Sequence, residues 1–239
     1  MHQVPVKQGP AQMHDHDPSP FNPLPPVVVA LFLMIAGVEA ALSLADRGLI
    51  GGAGGVGWRL TALNDYAFSA EWMDLMVQRG LWQPAELARL VTYPFVQGNF
   101  TQALFVSVFL LALGKMVGEV FHPAALVAVF VVSGVAGALL YWLVAPEARW
   151  LIGGFPPVYG LIGAFSYLMW LRLGELGDRQ IMAFQLFGVL MGIQLLFGLL
   201  FGGTSDWVAD VGGFFAGFAL SAVVAPGGWR AIVTRLRRR

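Results

Sequence analysis

Ala209-Asp210-Val211-Gly212-Gly213-Phe214-Phe215-Ala216-Gly217 is an apolar stretch broken by glycines and holding one carboxylate. It lies inside residues 207–225, a run that approaches the roughly 20 apolar residues a helix needs to cross a bilayer. Gly213 and Gly217 are four apart and share a face, which lets a second helix backbone come close where lipid gives no burial drive. An ionisable group at such depth is costly, so Asp210 is a functional suspect by default.

Upstream, five further runs read as spans: residues 27–45, 101–121, 124–145, 154–171 and 181–201. Small residues recur in them as Gly134 and Gly137, Gly160 and Gly163, and Gly188 and Gly192, which predicts tight packing within one bundle. The fold class expected is therefore an all-α polytopic membrane protein, a bundle of six transmembrane helices. A long loop, residues 46–100, joins the first span to the second. In it Phe68, Trp72, Leu75, Met76 and Trp82 recur at near-helical spacing among Glu71, Asp74 and Arg79, the pattern of a helix lying in the membrane interface.

Composition agrees. Of 239 residues 57% are hydrophobic and 12% charged, with mean hydropathy +0.70. Soluble domains carry about twice that charge. Net charge is zero, which gives no footprint for nucleic acid. There is no cysteine, so disulfides and thiolate sites are excluded. The organisation expected is a disordered cytoplasmic tail over residues 1–26, with seven prolines, a membrane domain over 27–225, and a basic cytoplasmic tail over 226–239. No cleavable signal peptide is visible. An even span count puts both termini on one side, with nine of the 14 Lys and Arg, which predicts both termini in the cytoplasm. The Arg235-Leu236-Arg237-Arg238-Arg239 ending suits a tail lying on an anionic membrane surface.

Two motifs carry little. Gly52-Ala53-Gly54-Gly55-Val56-Gly57 fits a dinucleotide fingerprint, but no strand precedes it, and it reads as a flexible hinge. His14-Asp15-His16-Asp17, with His2, lies in the tail and would hold a metal only weakly, so no metal or cofactor is expected. Glu39, inside the first span, reads as a carboxylate with a satisfied structural hydrogen bond.

Residues 86–217 resemble the rhomboid core. Glu86-Leu-Ala-Arg89-Leu-Val-Thr92-Tyr93-Pro-Phe95 is similar to the family's E-x-W-R-L-x-T-x-x-F, with Ala88 at the tryptophan and Arg89 kept. The family's H-G-x-x-x-H-x-x-x-N becomes Gln97-Gly98-Asn99-Phe100-Thr101-Gln102-Ala103-Leu104-Phe105-Val106. Its G-x-S-G-x-x-Y/F-G becomes Gly153-Gly154-Phe155-Pro156-Pro157-Val158-Tyr159-Gly160. Its A-H-x-x-G-x-x-x-G becomes the stretch quoted first, with Asp210 at the histidine. The frame residues Arg89, Gly98, Gly153, Tyr159, Gly160, Gly213 and Gly217 fall in register.

The resemblance implies an intramembrane serine protease fold, in which a serine attacks and a histidine on another helix takes its proton. This chain has Phe155 and Asp210 at those positions. Phenylalanine has no nucleophilic atom, and a carboxylate does not shuttle protons near neutral pH as imidazole does. Of the positions that help hold the oxyanion, Val106 donates nothing, while Gln102 retains an amide N–H. His122 lies at the far end of the second span, and Ser133 and Ser166 have no nearby base. The expectation is a pseudoprotease of the bacterial inner membrane, without catalytic residues, that binds transmembrane segments of other membrane proteins. Its alternatives are a divergent intramembrane endopeptidase and a structural subunit of a membrane complex; oligomeric state stays open. Asp210 is expected to reach Phe155 and Tyr159 and to take a hydrogen bond from Tyr159, Gln102, water, Arg149 or Arg89.

Overall fold

The computed structural model describes residues 23–145, 150–203 and 205–225. The His–Asp cluster of the tail, Arg149 and the basic ending lie outside them. Six long helices match the six expected spans: α1 (Pro26–Asp46), α6 (Phe100–Gly118), α7 (Pro123–Val144), α8 (Phe155–Leu176), α9 (Gln185–Phe201) and α10 (Trp207–Val224). Pro26 and Pro123 sit at helix starts, where a missing N–H is harmless. Pro123 also explains why the second span is shorter than expected. His122 caps the next helix, so α6 ends at Gly118 and Phe121 is packed into the turn.

Five of these segments are long and apolar enough to cross a membrane, the fifth span counted from Gln180. The exception is α8, whose C-terminal third carries Arg172 and Glu175. At about 1.5 Å per residue its 22 residues still span a bilayer core. It needs less lipid-facing apolarity because it is the central helix, wrapped by α6, α7 and α10, with one unbroken buried run from Pro156 to Ala164.

Glycine decides how closely α10 meets α8. A Cβ on Gly213 would strike the Pro156 carbonyl, and one on Gly217 the Gly160 carbonyl. A Cβ on Gly163 would strike the Phe214 carbonyl in return. Gly137 of α7 faces the Ala209 carbonyl in the same way. The fifth span departs from this pattern. Side chains added at Gly188 or Gly192 would meet nothing within 4 Å. Of all α9, only Met191 is buried. The spacing of those two glycines is thus not a packing motif here, because no helix approaches that face.

The long loop holds four helices where one was expected: α2 (Gly52–Gly55), α3 (Trp58–Tyr66), α4 (Ala70–Arg79) and α5 (Pro84–Thr92). The glycine-rich stretch read as a hinge begins with a single helical turn. The interfacial pattern is α4, capped by the Ser69 hydroxyl and closed by Gly80. Its Met73 and Met76 are buried while Trp72 is exposed, and Asp74 accepts from the Trp142 indole of α7 at 2.8 Å. Phe68 and Leu151 exchange two backbone hydrogen bonds, 3.1 and 2.8 Å, so the loop grips the segment leading into α8.

Candidate functional site

The site is built around the first turn of α8. Gly153 has φ of 92°, a left-handed conformation that suits glycine, and a Cβ there would collide with the Gln102 amide. Its N–H donates to the Tyr93 carbonyl at 3.2 Å. The next N–H, of Gly154, donates to the Gln97 side chain at 3.3 Å. Gln97 is fully buried and donates in turn to the Pro94 carbonyl at 2.8 Å. Gln102 accepts from the Gly98 N–H at 2.9 Å and donates to the Ile152 carbonyl at 3.4 Å. The two glutamines at the histidine positions therefore brace backbone. Val106 is buried, and a Cβ on Gly154 would come within 2.7 Å of it.

Phe155 opens α8, followed by Pro156 and Pro157, which the first turn tolerates because its N–H groups have no intrahelical acceptor. The Phe155 ring lines a largely apolar cavity of about 240 Å³. Phe109 of α6, Tyr159 of α8, and Leu190, Ile193 and Gln194 of α9 form its other walls. The cavity lies where α6 and α9 diverge. It holds a side chain or two rather than a helix, and α9, in which Met191 alone is buried, supplies one of its walls.

Asp210 is 1% exposed. Its partner is Gln194, whose amide donates to Oδ2 at 2.7 Å, while the Tyr159 hydroxyl donates to the Gln194 carbonyl oxygen at 2.9 Å. Tyr159 thus reaches Asp210 through a relay. Gln102 and Arg89, the other expected donors, are engaged elsewhere: Arg89 pairs with Glu86 at 2.9 Å and donates to the Ala67 carbonyl at 3.3 Å. The Asp210 Oδ1 atom is buried without a partner. Among the described residues no Lys, Arg or His forms an ion pair with Asp210, and no three acidic or His side chains converge as a metal site. The sequence reading missed Gln194. Its signal was there to find: an amide in the middle of an apolar span, nine residues beyond Gln185 near the span's start.

Arg59 is the second residue missed. From α3 it reaches down to Glu39 of α1, which is 2% exposed, with Nη1 to Oε2 at 3.0 Å and Nη2 to Oε1 at 2.9 Å. The Ser43 hydroxyl adds a 2.6 Å bond to the same carboxylate. The expected satisfaction of Glu39 is thus met by a fork-on-fork ion pair. Nε of Arg59 donates to Asp46 at 2.7 Å and Nη1 also donates to the Gln97 carbonyl at 2.9 Å. Hydrogen bonding to Glu39 pushes the guanidinium further above its already high pKa. A chain of contacts therefore runs from Glu39 through Arg59 and Gln97 to Gly154, beside Phe155.

No curated protein matches the chain. A family model described as the Rhomboid domain matches residues 84–227, more than half of the sequence.

Proposed function

Since the chain belongs to the rhomboid family, we propose that it is a pseudoprotease that binds transmembrane segments of other membrane proteins and alters their stability, assembly or trafficking. One observation carries this reading. The cavity walled by α6, α8 and α9 borders the first turn of α8, and it is lined by Phe155 and by Gln194, which holds Asp210, where a nucleophile and base would stand. A side chain of a transmembrane segment docked there meets apolar walls and hydrogen-bonding groups but no atom that attacks a peptide bond. The endopeptidase reading draws no support from Asp210, which accepts its hydrogen bond from an amide and not from a hydroxyl. We propose an integral membrane protein of a bacterial inner membrane, and the Lys and Arg distribution supports both termini being cytoplasmic.

The test is site-specific photo-crosslinking in native membranes. A crosslinker at Ile193, on the cavity wall, should capture defined membrane proteins through their transmembrane segments and leave them uncleaved. The same group at Leu33, on the exposed face of α1, should not capture them. Equal capture at both positions, or cleaved products, would refute the proposal.

A further inference from the structure

The Gln194–Asp210 contact has the features of a site filled by a substitute. Asp210 is almost wholly buried, yet one carboxylate oxygen takes a single amide donor and the other takes none. A carboxylate has room for about four donors, and a buried acceptor left short of them is costly. The one donor it has is the Gln194 side chain of α9, which is only partly buried, so turning it away sacrifices little packing and leaves the Phe187–Phe214 stack of α9 on α10 in place. Gln194 also forms part of the cavity wall. It therefore stands between the cavity and Asp210, and a side chain entering the cavity meets Asp210 as soon as Gln194 turns away.

We infer that Asp210 is a docking acceptor for a basic side chain on a bound transmembrane helix, and that Gln194 holds the position until such a helix arrives. The inference rests on the client-binding reading above and specifies the chemistry of the client. A lysine or arginine brings charge-assisted donors where Gln194 brings one neutral N–H. Asp210 is the fourth residue of α10, so the basic group belongs about one helical turn from the corresponding end of the client helix. At that depth a lone lysine is tolerated in lipid because its stem snorkels, so the client need not be unstable on its own. The Tyr159 hydroxyl, freed from Gln194, becomes available to the arriving segment.

The full chain in lipid nanodiscs can be titrated with two labelled leucine–alanine transmembrane peptides, read by energy transfer. One is wholly apolar, and the other carries a single lysine one turn from its end. The lysine peptide should bind about tenfold more tightly, a charge-assisted contact's worth. Asp210→Asn should abolish that preference, and Gln194→Leu should enlarge it. Equal binding of the two peptides to the native chain would overturn the inference and leave client binding standing. Binding of neither would overturn both. A preference that survives Asp210→Asn would place the acceptor elsewhere. Thermal unfolding of each variant separates loss of fold from loss of recognition, and Gln194→Leu alone decides the matter if Asp210→Asn does not fold: an unchanged or smaller preference in it refutes displacement.

Discussion

Gln194 of α9 and Asp210 of α10 are joined by a 2.7 Å hydrogen bond, which with the Tyr159–Gln194 bond ties a lightly packed helix to the close layer of α8 and α10. Mutation should show its worth. Asp210→Ala strands the Gln194 amide and should lower stability in detergent by about 1 to 3 kcal/mol, with Asp210→Asn milder. The Asp210→Leu, Gln194→Leu pair should lose less than the sum of its single changes, as a double-mutant cycle reads directly. Strict additivity by thermal unfolding would mean the contact contributes nothing.

Arg59→Ala leaves Glu39 buried without its counter-charge. Removing one partner of a buried ion pair costs about 3 to 5 kcal/mol, and the low end applies because the Arg59 side chain keeps 16% exposure. Glu39→Gln should cost less, since the amide still accepts a hydrogen bond. Proteolysis of the loop between α1 and α6 is the sensitive readout, because Arg59 ties that loop to Glu39 and Asp46 of α1.

The glycines should separate into two classes. Gly217→Ala forces a Cβ onto the Gly160 carbonyl and should destabilise by about 1 to 3 kcal/mol. Gly188→Ala and Gly192→Ala meet open space and should leave the melting temperature unchanged or slightly raised.

A serine-reactive fluorophosphonate should leave the chain unlabelled, because Phe155 stands where a nucleophile would. Phe155→Ser with Asp210→His should recover at best trace cleavage of a transmembrane substrate. Pro156 still lacks an N–H, Val106 still donates nothing, and the Gln102 amide is held by the Ile152 carbonyl. Robust turnover would mean the rest of the site remains organised for catalysis.

A reporter enzyme fused after Arg239 should be active only as a cytoplasmic fusion. Activity of an external reporter there would reverse the orientation and the even span count.

The bundle was legible because apolar length and the register of Gly153, Gly160, Gly213 and Gly217 point one way. What stayed hidden was pairing. Gln194 carries no charge, so a search for ionisable groups inside spans passes over it. Arg59 sits 20 residues from Glu39, and nothing local says that a loop arginine dives to a buried carboxylate. Gly188 and Gly192 have the spacing of a packed face, but spacing does not say whether another helix comes to meet it. The four loop helices were blurred because α2 is one turn of glycine and α3 and α5 are short.

The Arg59 fork has a consequence of valence. A guanidinium offers five N–H groups, and here each has an acceptor: Asp46, Glu39 twice, the Gln97 carbonyl and the Ser43 hydroxyl at 3.3 Å. None is left for a lipid phosphate, so the clamp should hold equally in zwitterionic and anionic bilayers. Lysine, with three donors on one atom, cannot fill the same five places, and at this position the two cations are not exchangeable.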